Sequence, residues 1–465
     1  MMLFAPASQT DRFGIFPGGS AGLSTMRGDM GALFLGMALF ILTGAISGST
    51  RWLSIPAILL SLVIFGRILS LIVDGRSSAQ SLTVEILIAV VLLATIVSLP
   101  RAKARGSGFD LALGVAVLVA VIAGGAFQFQ RQIGTMLFSR MINQGVDARL
   151  LDSLPDGLHA GLCGSGSPLP DATRSGPCVV VIAGKSVFIV DTGDGTARKL
   201  ALMGIPPGRI DAILLTHFHS DHIAGLGDML IQRWGGGSHK DQTPVIGPQG
   251  VETVVAGFNQ AYSLDKGYRV AHHGEATMPP SGSGGVAHPF TLTQGSDEVQ
   301  QVWQQGGLTI TAFAVNHAPV FPAAAYRFDY FDRSLVISGD TSPSPVLAKY
   351  AKGVDALFHE GLQTTLLTVM HDATARTGRT SAAKITHDIP SYHTTPEDAA
   401  RIAQEAGVKY LMFYHEIPPL PIAYMNAAFL GDAPKIFHGP ISVGKDGMLL
   451  SMPVGGKTIT LRELL

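Results

Sequence analysis

The sequence has little charge and almost no cysteine. Only 14% of its 465 residues are charged, and Lys+Arg 33 against Asp+Glu 34 leaves a net charge of -1. The broad basic face needed to neutralise many phosphates is therefore not implied. The two cysteines, Cys163 and Cys178, are too few for a disulfide scaffold or for a zinc site built from several thiolates. They lie in the short apolar stretches LHAGLC and PCVVVIAG, joined by a loop rich in Gly, Ser and Pro. One bridge formed in an oxidising compartment and two buried thiols both fit that pattern.

Apolar sequence, by contrast, is abundant and unevenly placed. The length exceeds one ordinary core, so two parts of different character are expected. After a tail at 1–29, residues 30–130 carry apolar runs near the ~20 residues that a helix needs to cross hydrocarbon. They predict about four transmembrane helices, at 31–49, 52–73, 82–100 and 109–128. Arg101, Lys103 and Arg105 form the densest basic cluster at a membrane edge. The positive-inside tendency places them in the cytoplasm and everything after about residue 130 on the far side, periplasmic or extracellular. Arg67 follows fifteen uncharged residues in the second run. It either reaches the interface or pairs within the membrane with Glu85.

A linker at 131–155 leads into a region, 156–465, of short β-branched runs alternating with helical patterns. VVVIAG and VFIVDTG read as a hairpin turning at Lys185-Ser186. TPEDAARIAQEAG opens with a Thr cap, Pro at the first helical position and acids in the first turn, and stops at Gly. DAILLTH, LTITAFAVNH, SLVISGD, DALFHEG and KYLMFYH are apolar strands that each end in a histidine or an acid. That is an α/β arrangement with its polar residues along one sheet edge.

THFHSDH, at 216–222, packs His217, His219, Asp221 and His222 into one turn after a strand. Imidazole and carboxylate are the ligands of a catalytic zinc with open positions, and four such groups in one turn are costly to bury without a cation. Further along, Asn316-His317, Gly339-Asp340, His359-Glu360, His393 and His415 each follow an apolar run.

Taken in order, VDTGDG, LTHFHSDHIAGL, VNHAP, ISGDT, LFHEG, YHTTPEDAA and FYHEIP resemble the metallo-β-lactamase fold superfamily, and within it the ribonuclease Z and arylsulfatase-like branch. The resemblance spans roughly 160–420. It implies an αββα sandwich and two divalent metal ions, zinc first and manganese or iron as alternatives. It further implies that His217, His219 and His317 hold one ion, that Asp221, His222 and His415 hold the other, and that Asp340 bridges them. Two neighbouring cations need a shared anion, and together they lower the pKa of a water so that hydroxide exists at neutral pH. By the same resemblance, Asp221 orients that hydroxide and His393 protonates the leaving oxygen. His359 and Glu360 form an acid relay, although Gly361-Leu362 depart from the usual Ala-Thr. Asp191 and Asp194 brace the metal loop by hydrogen bonds without binding metal.

These residues imply a membrane-anchored hydrolase of a phosphodiester or sulfate ester, acting on a small substrate, with a homodimer left open. Trp234, in RWGGG, is a candidate to stack on an aromatic leaving group, with ordinary packing as the other reading. The GSGSP turn at 164–168 is either a set of backbone donors for an anion or a plain turn. A ribonuclease Z-like tRNA 3'-processing endonuclease is the alternative. Its basic arm is expected within 223–316, where only Arg233, Lys240, Lys266 and Arg269 occur, so nucleic acid is not expected as a partner. A non-catalytic membrane sensor would be favoured by a missing ligand, and none of the seven is missing. His272, His273 and His387 match no motif and are read as structural or pocket-rim residues.

Overall fold

The computed structural model describes residues 31–74, 79–98, 130–146 and 150–465, and the chain divides into two compact units, Met1–Gln144 and Gly145–Leu465. In the first unit the described helices are Ala32–Ser47, Thr50–Asp74, Ala79–Ser98 and Gln130–Val146. Leu53, Ala57, Leu60, Ala89 and Leu92 form its buried cluster, and Phe40 stacks on Trp52 with ring centroids 5.5 Å apart.

Among the described residues no helix is long and apolar enough to cross a membrane. This overturns the expectation of a multi-pass anchor that carries the catalytic domain to the far side. The lengths show why. The first helix has 16 residues, about 24 Å of rise against a hydrocarbon core of about 30 Å. Arg51 and Arg67 bracket the fifteen uncharged residues of the second, and the third has only thirteen after Glu85. Uninterrupted runs of that length suit helix packing within a protein better than a span. The fourth expected span, the Arg101, Lys103 and Arg105 cluster, and the Arg67 side chain with its suggested pairing to Glu85 lie outside the described residues.

The second unit is built on two mixed sheets. The first runs, in spatial order, through Thr460–Glu463, Met448–Pro453, Gly157–Gly164, Cys178–Ala183, Ser186–Val190, Ala212–Leu214, Thr243–Pro248 and Gly285–Phe290. The second runs through Ile441–Val443, Leu411–Ile417, Ala356–Leu362, Arg333–Ile337, Ala324–Tyr330, Leu308–Ala314 and Val299–Gln305. Alternation along a strand sorts side chains between layers. Val179 and Val181 join Phe328, Phe358 and Met412 in the core between the sheets. Val180 and Ile182, on the opposite face, pack with Leu200, Met229 and Val255 of the helices outside. The other sheet's outer face is covered by Leu347, Ala399 and Ala403. The result is an αββα sandwich.

Two local expectations are met with one adjustment. The hairpin pairs Ala183 with Ser186, so its turn is Gly184-Lys185 and not Lys185-Ser186. Gly184 takes φ +58, where a Cβ would also meet the Tyr330 hydroxyl at 2.4 Å, and only glycine fits both demands. The helix Pro396–Ala406 starts at Thr395, whose hydroxyl accepts the Asp398 N–H at 3.1 Å, and ends at Gly407 with φ +65. Cys163 and Cys178 form a disulfide across adjoining strands.

Candidate metal centre

The strands Arg333–Ile337, Ala356–Leu362 and Leu411–Ile417 run parallel, so Asp340, Glu360 and His415 reach the same sheet edge. His317 joins them beyond Leu308–Ala314. From the other sheet, Ala212–Leu214 leads into His217, and the turn Ser220–Ile223 turns Asp221 and His222 inward. His415 is the extra residue of a bulge: Glu360 pairs with Tyr414 and Gly361 with Glu416. It adopts φ +51, and Asp191 adopts φ +60. Both are strained conformations for residues with a Cβ, held where a side chain must be re-aimed.

The side chains collect in two groups, His217, His219, His317 and Asp340, and Asp221, His222 and His415, and a third, Asp340, His393 and His415, overlaps them, each with its ligand atoms within 4.8 Å of one another. Asp340 Oδ2 lies 3.8 Å from His217 Nε2, 3.3 Å from His222 Nε2, 3.9 Å from His317 Nε2 and 3.4 Å from His415 Nε2. It therefore faces both groups.

Hydrogen bonds on the far side of the rings fix which nitrogens face inward. His222 Nδ1–H donates to Asp191 Oδ2 at 2.8 Å, and His317 Nδ1–H to the Tyr392 carbonyl at 2.9 Å. His217 Nδ1–H donates to Thr216 Oγ1 at 3.1 Å, and that hydroxyl donates to Asp191 Oδ2 at 2.7 Å. With those protons committed outward, the Nε2 atoms of His217, His222 and His317 face inward, and His217 Nε2 lies 3.0 Å from His219 Nδ1. His222 Nε2, Asp340 Oδ1 and His415 Nδ1 are buried without a hydrogen-bond partner. Buried ring nitrogens and carboxylate oxygens that converge with unpartnered atoms among them are unfavourable until a cation lies between them. The donor set, imidazole and carboxylate only, suits a divalent metal.

The electrostatics are divided, since the carboxylates of Asp340, Asp191 and Asp221 outweigh burial and raise His222 well above the ordinary imidazole value. Burial alone would raise the Asp340 carboxyl, but His415, His222 and His217 hold it well below the usual carboxylate range. Burial and the neighbouring rings push His217 well below the ordinary imidazole value.

Beside this cluster His393 Nδ1 lies 3.2 Å from Glu360 Oε1. Burial disfavours the charged ring, yet the Glu360 carboxylate outweighs it and raises the His393 pKa. Glu360 Oε1 also accepts the N–H groups of Thr394 at 2.9 Å and Thr341 at 3.3 Å, tying the His393 loop to the loop of Asp340. His359 takes no part in this contact. As the neighbouring strand residue its ring points to the opposite face, where Nδ1 bonds back to the Glu360 carbonyl at 2.8 Å. An acid relay through His359 is thus not built.

Several other expectations change. Asp191 hydrogen-bonds to the loop that carries His217, accepting the Thr216 N–H at 2.8 Å as well. Asp194 is exposed, and among the described residues its carboxylate makes no hydrogen bond. Trp234 is fully buried and donates Nε1–H to the Pro279 carbonyl at 2.8 Å, so it packs and cannot stack on a leaving group. The GSGSP donors are used internally: Ser165 N–H goes to Asp446 Oδ1 at 2.9 Å and Gly166 N–H to the Ser175 carbonyl at 2.8 Å. His272, His273 and His387 are exposed.

Sequence reasoning missed Thr216, although it directly precedes His217, and the carbonyl of Tyr392, directly before His393. It also missed Glu416, fully buried next to His415, whose Oε2 is 3.4 Å from Arg174 Nε. Burial pushes the Glu416 carboxyl well above its usual range, against the pull of Arg174. No local signal connects two residues so far apart in the chain.

The sequence profile described as the Metallo-beta-lactamase superfamily matches residues 172–387. Ribonuclease Z of Mycolicibacterium gilvum is 39% identical over 261 residues, covering 56% of this chain and 84% of that protein. Ribonuclease Z of Mycobacterium bovis is 35% identical over 291 residues, covering 62% and 96%. The crystal structure of human tRNase Z, short form, aligns with TM-score 0.46 at 20% identity, over 64% of this chain and 100% of that one.

Proposed function

Because this chain belongs to the metallo-beta-lactamase superfamily and has ribonuclease Z enzymes as homologues, we propose that it is a metal-dependent phosphodiesterase that cuts RNA, with the 3' end of tRNA precursors as its first candidate substrate. The observation that carries the reading is the seven-residue cluster around Asp340, in which outward hydrogen bonds from His217, His222 and His317 turn their Nε2 atoms inward. In this reading His217, His219 and His317 hold one ion, Asp221, His222 and His415 hold the second, and Asp340 faces both. Zinc is the ion that suits these ligands best. Two such ions would supply charge neutralisation for the phosphoryl oxygens and a water of lowered pKa.

The chain's own side chains do the rest. Asp221, with 11% of its side chain exposed, is placed to hold the attacking water by hydrogen bonding. His393, whose charged form Glu360 favours, donates a proton to the departing ribose oxygen, which is a poor leaving group without one. Asp191 and Thr216 hold the rings of His222 and His217 in orientation.

The sulfate-ester reading loses one support, because its candidate stacking residue, Trp234, is in the core. One objection to an RNA substrate falls as well, since it rested on a catalytic domain delivered across a membrane. The experiment is a substrate panel of tRNA precursor, bis-p-nitrophenyl phosphate and p-nitrophenyl sulfate. Cleavage of the precursor near its 3' end and of the phosphodiester, with the sulfate left intact, supports the reading. Preference for the sulfate contradicts it.

A further inference from the structure

An RNA nuclease needs a grip on the backbone beside the scissile bond, and the segment 223–316 does not provide a basic one. The chain has a different element at the metal centre. After the strand Ala356–Leu362 it forms a helical hairpin, Thr364–Arg376 and Thr380–Asp388, which returns through Ile389–Ser391 to Tyr392 and His393. Leu367 and Ile389 root the hairpin in a buried cluster with Leu362 and Ile417, against Leu169 and Tyr392. Tyr392 in turn packs edge-on against His317, centroids 5.3 Å apart. The foot of the hairpin is therefore part of the wall of the site.

Its tip stands away from that wall. From Leu367 to Arg376 the helix rises about 14 Å, at roughly 1.5 Å per residue. The tip, Arg376 to Ser381, is exposed throughout, and a side chain at Gly378 would meet nothing within 4 Å. No acid occurs between Asp372 and Asp388, a stretch that carries Arg376, Arg379 and Lys384 together with Thr377, Thr380 and Ser381. Lys384 is paired with Asp388. Among the described residues neither the Arg376 nor the Arg379 guanidinium has an ion pair or hydrogen bond.

We propose that this hairpin is the arm that holds the substrate, with Arg376 and Arg379 contacting phosphates of the RNA backbone flanking the scissile bond. This rests on the RNA reading above. Guanidinium and hydroxyl groups without carboxylate partners are the usual donors to phosphate oxygens. They stand at the end of a stiff element whose other end abuts the catalytic residues. A substrate with a single phosphate, held entirely at the metal cluster, does not reach them.

The test uses the full chain and its R376A/R379A and R376K/R379K variants, with tRNA precursor and bis-p-nitrophenyl phosphate compared on each. The Ala pair raises KM for the precursor by about tenfold or more with kcat little changed, so the RNA-to-small-diester preference falls by the same factor. The slope of log(kcat/KM) against log salt becomes shallower by about 1.4 to 1.8, as expected for two lost phosphate contacts. The Lys pair keeps the slope. If the parent protein cuts the precursor and the Ala pair leaves KM and slope unchanged, the arm is not the grip, and its charge serves another partner such as an acidic protein. If the parent hydrolyses the small diester but leaves the precursor intact, the RNA reading fails and the arm proposal with it.

Discussion

His393 and Glu360 form a buried pair, Nδ1 to Oε1 at 3.2 Å, and the same carboxylate oxygen holds the backbone N–H groups of Thr341 and Thr394. Glu360 thus favours the charged form of His393 and also fixes it relative to Asp340. If His393 is the proton donor, its loss matters most where the leaving group is poor. H393A is expected to lower kcat on RNA by 10²- to 10⁴-fold, and to lower hydrolysis of bis-p-nitrophenyl phosphate much less, because p-nitrophenolate leaves without protonation. E360Q follows the same pattern more weakly. Steady-state rates on both substrates check this. An equal loss on both would assign His393 a merely structural role.

Asp191 touches Thr216 and His222 without belonging to the ligand set. D191N keeps the shape but weakens the acceptor for His222 Nδ1–H. Metal affinity is expected to fall by about 10- to 100-fold, read by competition with a chelating dye, while the fold persists by circular dichroism.

Arg333 and Asp355 form an ion pair at 2.9 Å with both side chains 2% exposed. Arg333 also donates to the carbonyls of Pro453 and Thr458 on the facing sheet's side. R333M leaves the Asp355 charge buried with Lys409 as its remaining cationic partner. The expected cost is about 3–5 kcal/mol, measured as a lower urea midpoint with unchanged slope.

His159 is buried as a neutral ring. Nε2–H donates to the Pro155 carbonyl at 3.0 Å, and Nδ1 accepts from the Ser451 hydroxyl at 2.8 Å. Burial lowers its pKa in the folded protein, so the unfolded chain binds the proton more readily. Its stabilising contribution is present above the unfolded value near 6.5 and is lost as pH falls below it. Unfolding free energies at pH 7.5 and 5.5 are expected to differ less in H159Q than in the parent.

Much of the centre was legible because its ligands come in tight motifs at strand ends. THFHSDH supplies four of them in one turn, and Asp340 and His415 belong to the ends of two parallel strands with Ala356–Leu362 between them. The cap at Thr395 and the stop at Gly407 were legible for the same local reason. Three kinds of feature were not. His359 and Glu360 look alike as a motif, and only strand alternation sends one to His393 and the other away from it. Trp234 looks available in a glycine-rich stretch, yet those glycines let helices approach closely and enclose it. The apolar N-terminal runs read as spans when charges within them are tolerated, but the first helix is only 16 residues long, and Arg51, Arg67 and Glu85 interrupt the second and third runs. The Arg174–Glu416 contact joins distant segments, which no window along the chain detects.

The central claim is a dinuclear centre that drives phosphodiester cleavage, and bound metal per chain, determined alongside activity on the full-length protein before and after chelation, tests it most directly. The account predicts close to two equivalents of a divalent metal, zinc foremost, with activity lost on chelation, restored by adding the metal back, and absent in D340A. A protein that binds no metal, or that cleaves the diester at full rate in excess chelator, would contradict it.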